Sequence, residues 1–206
     1  MPTSATKSST ETLLKSSMEL FLRYGIKNVS MDDIAKLLGI SKKTIYAHVE
    51  NKKDLVLAAV RIFIKEEHTI ITSLSEKSIN AIDEMVALSK QTIELVKIMK
   101  PTLTYDLKKY YSEIWLVIET EYFSFIEEII KNNVTRGISE GFFRKDLNPA
   151  IISKLYLGMA HLVSSETFVK TNTYPLKDMY KGMINYHLHG IINEKGRNEL
   201  NTILNA

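Results

Sequence analysis

The sequence has no cysteine among its 206 residues and only four prolines. Without cysteine there can be no disulfide, no thiolate nucleophile and no Cys-based zinc site, which fits a reducing compartment. Long apolar runs are also missing. None approaches the roughly 18 residues that suggest a membrane span. The opening Met1-Pro2-Thr3-Ser4-Ala5-Thr6 lacks the apolar core of a signal peptide, so the expected location is the cytoplasm, away from membranes. Strand signals are absent as well, with no sustained alternation and no Asn-Gly or Asp-Gly hairpin turn. Nor is there a Gly-x-Gly-x-x-Gly, a P-loop or a Gly-x-Ser-x-Gly. The five histidines are scattered. His187 and His189 would face different directions on a helix, which makes a poor metal pair. No catalytic residue, metal or cofactor is expected.

What is present is an ordinary globular composition, 45% hydrophobic and 25% charged, with an uneven charge distribution. The net charge of +3 lies within residues 1–56, which hold nine basic and six acidic side chains; residues 57–206 balance at 18 of each. An excess of positive charge at one end suits a module that faces phosphate.

Helical periodicity and caps organise the chain. Residues 1–7 read as an arm, and Ser8-x-x-Glu11 as a capping box for a first helix that Gly25 closes. Ser30-x-x-Asp33 caps a short second helix with Ile34, Ala35, Leu37 and Leu38 inward. Gly39-Ile40 turns, Ser41 caps a third helix from Lys42 to His48, and Asn51-x-x-Asp54 caps a fourth. Pro101, Pro149 and Pro175 then mark boundaries, leaving helices at about 52–73, 78–100, 102–109, 111–136, 149–171 and 175–193. The expectation is an all-α chain of about nine helices, with a helix-turn-helix domain at 1–56 and a larger helical domain at 57–206.

The spacing within the second and third helices has a geometric reason. Ala35 is small where the two would cross, Gly39 supplies a positive φ at the turn, and Ile45 points back into a small core. Helices so joined cross at roughly 90–120°, which leaves the second of them free to enter a major groove. An αα-hairpin that touches no nucleic acid has the same spacing.

Residues 10–56, above all the run from Val29 to His48 with its Thr44-x-Tyr46-x-His48 and the following Asn51-Lys52-Lys53-Asp54-Leu55, resemble the DNA-binding domain of the tetracycline-repressor (TetR) family. Gly137-x-x-x-Gly141-x-Phe143-Arg144-x-Asp146-x-Asn148-Pro149 resembles a linker of that family. The resemblance implies a sequence-specific, homodimeric transcriptional regulator, most often a repressor, that binds a palindromic operator in double-stranded DNA. It also implies a DNA-facing set of Ser30, Met31, Ser41, Lys42, Lys43, Thr44, Tyr46, Ala47, His48 and Lys52. Tyr46 and His48 suit phosphate or base edges, Lys42 and Lys43 suit guanine, and Lys52 at a helix start suits phosphate. Asp32 departs from the family pattern, since its charge repels phosphate.

The last two long helices are the dimer surface the resemblance implies, a four-helix bundle with the second copy. Leu155, Gly158, Leu162, Gly182, Met183 and Tyr186 are its candidates. Gly158 and Gly182 either permit close helix approach or are simply tolerated, at about 1 kcal/mol each against alanine. Seven of the aromatic residues fall within 105–125. They are read either as core packing or as the wall of a site for a small apolar or aromatic effector. Met85, Met99, Tyr111, Trp115, Ile118, Tyr122, Met159 and His161 are candidate lining residues. Control by a protein partner, or activation in place of repression, is the alternative.

Overall fold

The computed structural model describes residues 4–100, 102–171 and 173–205, and among them the only regular structure is helical, apart from one isolated bridge between Phe143 and Ile192. Pro101 lies outside the described residues. The all-α reading holds. The helices are α1 (Ser4–Tyr24), α2 (Met31–Leu38), α3 (Lys42–Tyr46), α4 (Lys52–Lys77), α5 (Ala81–Ile98), α6 (Thr102–Tyr110), α7 (Ser112–Val117), α8 (Ser124–Ser139), α9 (Pro149–Val163), α10 (Glu166–Thr171), α11 (Leu176–Ile191) and α12 (Glu194–Asn205). A π-helical stretch, Ile118–Phe123, joins α7 to α8.

Two compact units divide the chain, residues 1–67 with 98–121 and residues 68–97 with 122–206. In the first unit α1 buries Leu13, Leu14, Met18, Phe21 and Leu22, the stripe expected at helical spacing. It starts at Ser4, so Ser8 sits inside the helix and not at its cap. Gly25, at φ +80°, ends it by donating to the Phe21 carbonyl at 2.9 Å. Ile34, Ile45, Leu55, Val56 and Ala59 are each inaccessible and close the core under α2, α3 and α4. Leu37, expected inward, is more than half exposed. Met31, Ile34 and Ala35 already fill the short inner stripe of α2. Segment 98–121 joins this unit: the Lys100 N–H donates to the Leu22 carbonyl at 2.6 Å, and Asp106 Oδ2 accepts the Lys27 N–H at 3.0 Å. Leu103 and Leu107 of α6 and Ile114 of α7 are buried in it.

The second unit packs α5, α8, α9, α11 and α12 around Ile82, Met85, Ile130, Val134, Phe143 and Tyr156. Phe143, in the linker after α8, fills the space beside Gly137, where any Cβ would lie 2.2 Å from the ring. The Arg144 N–H to Ile191 and Asn193 N–H to Phe142 hydrogen bonds tie that linker to the α11–α12 turn. Asn148 caps α9 with Pro149 in its first turn, as the sequence suggests. Two features differ from the sequence reading. The helix expected over 149–171 breaks at Ser164 and Ser165, and α12 had no counterpart.

Candidate nucleic-acid interface

Local chemistry explains why α2 and α3 stand where they do. Ser30 accepts the Asp33 N–H at 3.2 Å, while Asp33 Oδ2 accepts both the Ser30 N–H (2.7 Å) and hydroxyl (2.6 Å). These donors hold the Asp33 carboxyl below its ordinary range. Gly39, at φ +63°, turns the chain, and the Ile40 N–H bonds the Ala35 carbonyl at 3.0 Å. Ser41 Oγ accepts the Thr44 N–H at 3.0 Å and lies 2.9 Å from the Thr44 hydroxyl. At α4, Asn51 Oδ1 accepts the Asp54 N–H at 3.0 Å. Every start is satisfied from within, so the frame exists before any ligand arrives.

Ile45 alone of α3 points inward, leaving Lys42, Lys43, Thr44 and Tyr46, with Ala47 just beyond, exposed. Tyr46 is 48% exposed, high for a tyrosine and sufficient to offer both ring and hydroxyl. His48 is half-buried, with Nδ1 2.9 Å from the Thr10 hydroxyl of α1. Lys42 Nζ lies 2.7 Å from Asp32 Oδ2, so the acidic residue that departs from the family pattern meets a lysine of α3. That ion pair raises the Lys42 pKa. Both side chains are well exposed, and water keeps such a pair weak.

Three expectations need correction. Met31 is 7% exposed; its side chain belongs to the core, which leaves only its backbone at the start of α2 to meet a ligand. Lys52 turns inward and donates from Nζ to the Ile26 carbonyl at 2.6 Å, closing α4 onto the α1–α2 turn. Burial lowers its pKa, against the pull of Asp106 and Asp33. The exposed cation at this helix start is Lys53, paired with Glu113 of α7. Met183, placed on the dimer surface by the sequence reading, is buried in the second unit's own core.

The rest of that candidate surface is open. Ile151, Leu155 and Leu162 of α9 and Tyr186 of α11 are all more than half exposed, and Tyr186 reaches 75%. A Cβ at Gly158, Gly182 or Gly190 would meet nothing within 4 Å. Between these helices runs a groove of about 620 Å³ lined by Ile152, Leu155, Met159, Gly182, Tyr186 and His187, among others. His187 packs edge-on against Tyr156 at 4.8 Å, and burial lowers its pKa to about 4.

The candidate effector residues divide between the units. Met99, Tyr111, Trp115 and Ile118 fall in the first; Met85, Tyr122, Met159 and His161 fall in the second. Met85 is a core residue, Met159 lines the groove between α9 and α11, and His161 meets Phe123 edge-on at 4.3 Å. Tyr105, Tyr110 and Trp115 carry lysine ammonium groups on their rings, whereas Phe125 stacks on His68 at 3.8 Å.

A capped helix-turn-helix with an exposed polar third helix, on an all-helical chain, is the framework of a DNA-binding domain. Residues 13–59 match the model for bacterial regulatory proteins of the tetR family. Residues 13–59 therefore carry the DNA-binding domain of that family. The chain is similar to the HTH-type transcriptional regulator YvaF of Bacillus subtilis (strain 168), an uncharacterized protein, at 24% identity over 165 residues, 79% of this chain and 85% of that protein. In fold it resembles a TetR-family transcriptional regulator from Agrobacterium tumefaciens, with TM-score 0.74, 16% identity, and coverage of 91% of this chain and 99% of that one. A transcriptional regulator from Saccharomonospora viridis, solved in complex with choline, aligns with TM-score 0.69 and 19% identity over 91% of this chain and all of the other. Among the described residues no helix is long and apolar enough to cross a membrane.

Proposed function

We propose that this chain is a homodimeric cytoplasmic repressor that binds a palindromic operator and lets go when a small apolar or aromatic molecule binds. The observation that carries the reading is α3, which sends one residue, Ile45, to the core and leaves Lys42, Lys43, Thr44, Tyr46 and Ala47 exposed. A helix held this way presents its polar side to the major groove, with Tyr46 and Lys43 at base edges and Ser30, Ser41 and Thr44 at the flanking phosphates. His48 joins them from the end of α3, oriented by Thr10. DNA reading is assigned to residues 1–56, effector binding and pairing to 57–206.

One copy makes few base contacts, so a second copy is needed, and the exposed apolar stripe of α9 and α11 supports pairing there. Close approach at Gly158 and Gly182 is consistent with the open space beside both. The choline bound to the Saccharomonospora viridis regulator supports a small-molecule signal for a fold of this kind. Residues of α4 belong to both units, which makes that helix the lever between signal and DNA. Footprinting on the DNA upstream of the protein's own gene tests the reading. Two protected half-sites related by a dyad are expected; protection of a single asymmetric site would rule out the dimeric repressor.

A further inference from the structure

We propose that the exposed face of α6, with Lys27 beside it, is a second docking surface for the DNA phosphate backbone, built from lysines held on aromatic rings. The proposal rests on α3 reading DNA. Lys108 Nζ stands 4.5 Å from the centre of the Trp115 ring, while Lys109 Nζ donates to the Tyr105 hydroxyl and stands 5.4 Å from the centre of the Tyr110 ring. Lys27 Nζ, from the α1–α2 turn, stands 5.3 Å over the same Tyr110 ring. Tyr105 and Tyr110 meet edge to face at 6.1 Å, so the platform is itself braced.

The manner of holding decides what these lysines can do. Elsewhere in the same unit lysines meet carboxylates: Lys15 with Glu11 and Glu66, Lys42 with Asp32, Lys53 with Glu113. A carboxylate cancels the charge a phosphate would seek. An aromatic face or a neutral phenol hydroxyl positions the ammonium without cancelling its charge. Asp106, the one acidic residue of α6, does not cancel it either. Its side chain is 4% exposed and is committed to the Lys27 N–H. The three lysines themselves are exposed. Their position also fits. Lys27, over the Tyr110 ring of α6, lies three residues before Ser30, the cap of α2 that is assigned to the DNA backbone.

Phosphate binding carries no sequence information, which separates this patch from α3 in a single experiment. Affinity is measured across a salt series for two duplexes, the fragment upstream of the protein's own gene that the wild-type protein protects and a scrambled duplex of equal length. The proteins are wild type, Lys108→Gln/Lys109→Gln, Lys27→Gln, Tyr46→Ala and, as a charge-matched control, Lys145→Gln/Lys177→Gln. The α6 double variant is expected to bind both duplexes about tenfold more weakly, with the ratio between them kept. Its slope of log affinity against log salt should become shallower by about 0.9 for each phosphate it no longer neutralises. Lys27→Gln should show a smaller loss of the same kind, and the control should leave the slope unchanged. Tyr46→Ala should lose the preference between duplexes. An α6 variant with wild-type affinity and slope overturns the proposal while leaving α3 in place, as does an equal loss in the control. Absence of any wild-type preference between the duplexes would instead refute the reading of α3.

Discussion

Gly137 and His187 show how one residue is bound by its neighbours in this chain. Phe143 fills the volume a side chain at Gly137 would need, and its ring is fully buried. Gly137→Ala is therefore expected to destabilise the protein by about 1–3 kcal/mol, read as an earlier urea midpoint. His187 is 5% exposed and stays neutral, its pKa lowered to about 4 by burial. An unfolded chain would bind that proton near pH 6.5, so between about 6.5 and 4 the unfolded state holds more protons than the folded one. The stability contributed by His187 is complete above pH 6.5 and is lost as pH falls toward 4, by roughly 3 kcal/mol in all. Urea unfolding at pH 7, 6, 5 and 4 checks this, and His187→Gln should flatten the dependence across that window. The sequence placed His187 only as one half of a poor metal pair, because nothing local records that Tyr156 lies against it.

At the scale of elements, starts and stops decided by neighbouring residues were legible. Ser30 with Asp33, Ser41 with Thr44, Asn51 with Asp54, and Asn148 ahead of Pro149 cap the helices they were expected to cap. Each involves bonds over three residues or fewer, and local chemistry determines them. Features set by distant parts of the chain were not legible. The start of α12 depends on Asn193, whose Nδ2 donates to the Gly141 and Phe143 carbonyls and whose Oδ1 accepts the Gly196 N–H. The inward turn of Lys52 depends on the Ile26 carbonyl, 26 residues away. The join of α5 to α8 is likewise long-range. Glu84, 5% exposed, accepts from Asn133 Nδ2 at 2.9 Å and lies 3.4 Å from Arg136, which also reaches Glu140 and the Ser78 carbonyl. Arg136→Ala leaves the Glu84 carboxylate buried with its main cationic partner gone, and a loss of roughly 3 kcal/mol in chemical denaturation is expected.

At the scale of the whole molecule the proposed function requires two copies to read one site. The α9 stripe of Ile151, Leu155 and Leu162 has no partner among the described residues of its own chain, and exposed apolar surface on this scale is costly to leave in water. Leu155→Lys with Leu162→Lys is expected to give a monomer by analytical ultracentrifugation with its helical content kept, and to bind upstream DNA at least tenfold more weakly. The family resemblance assigned Leu155, Leu162, Tyr186 and Met183 to this surface, and the first three are exposed. Met183 is buried instead in the core of its own chain, because long-range packing that the local pattern of α11 does not record decides its side. The proposed DNA recognition depends most on α3. Its most direct test is the affinity of wild-type, Tyr46→Ala and His48→Ala proteins for the protected upstream fragment and for a scrambled duplex. The expected result is a wild-type preference of at least about a thousandfold that falls by tenfold or more in each variant; equal preference in all three proteins would contradict the role given to α3.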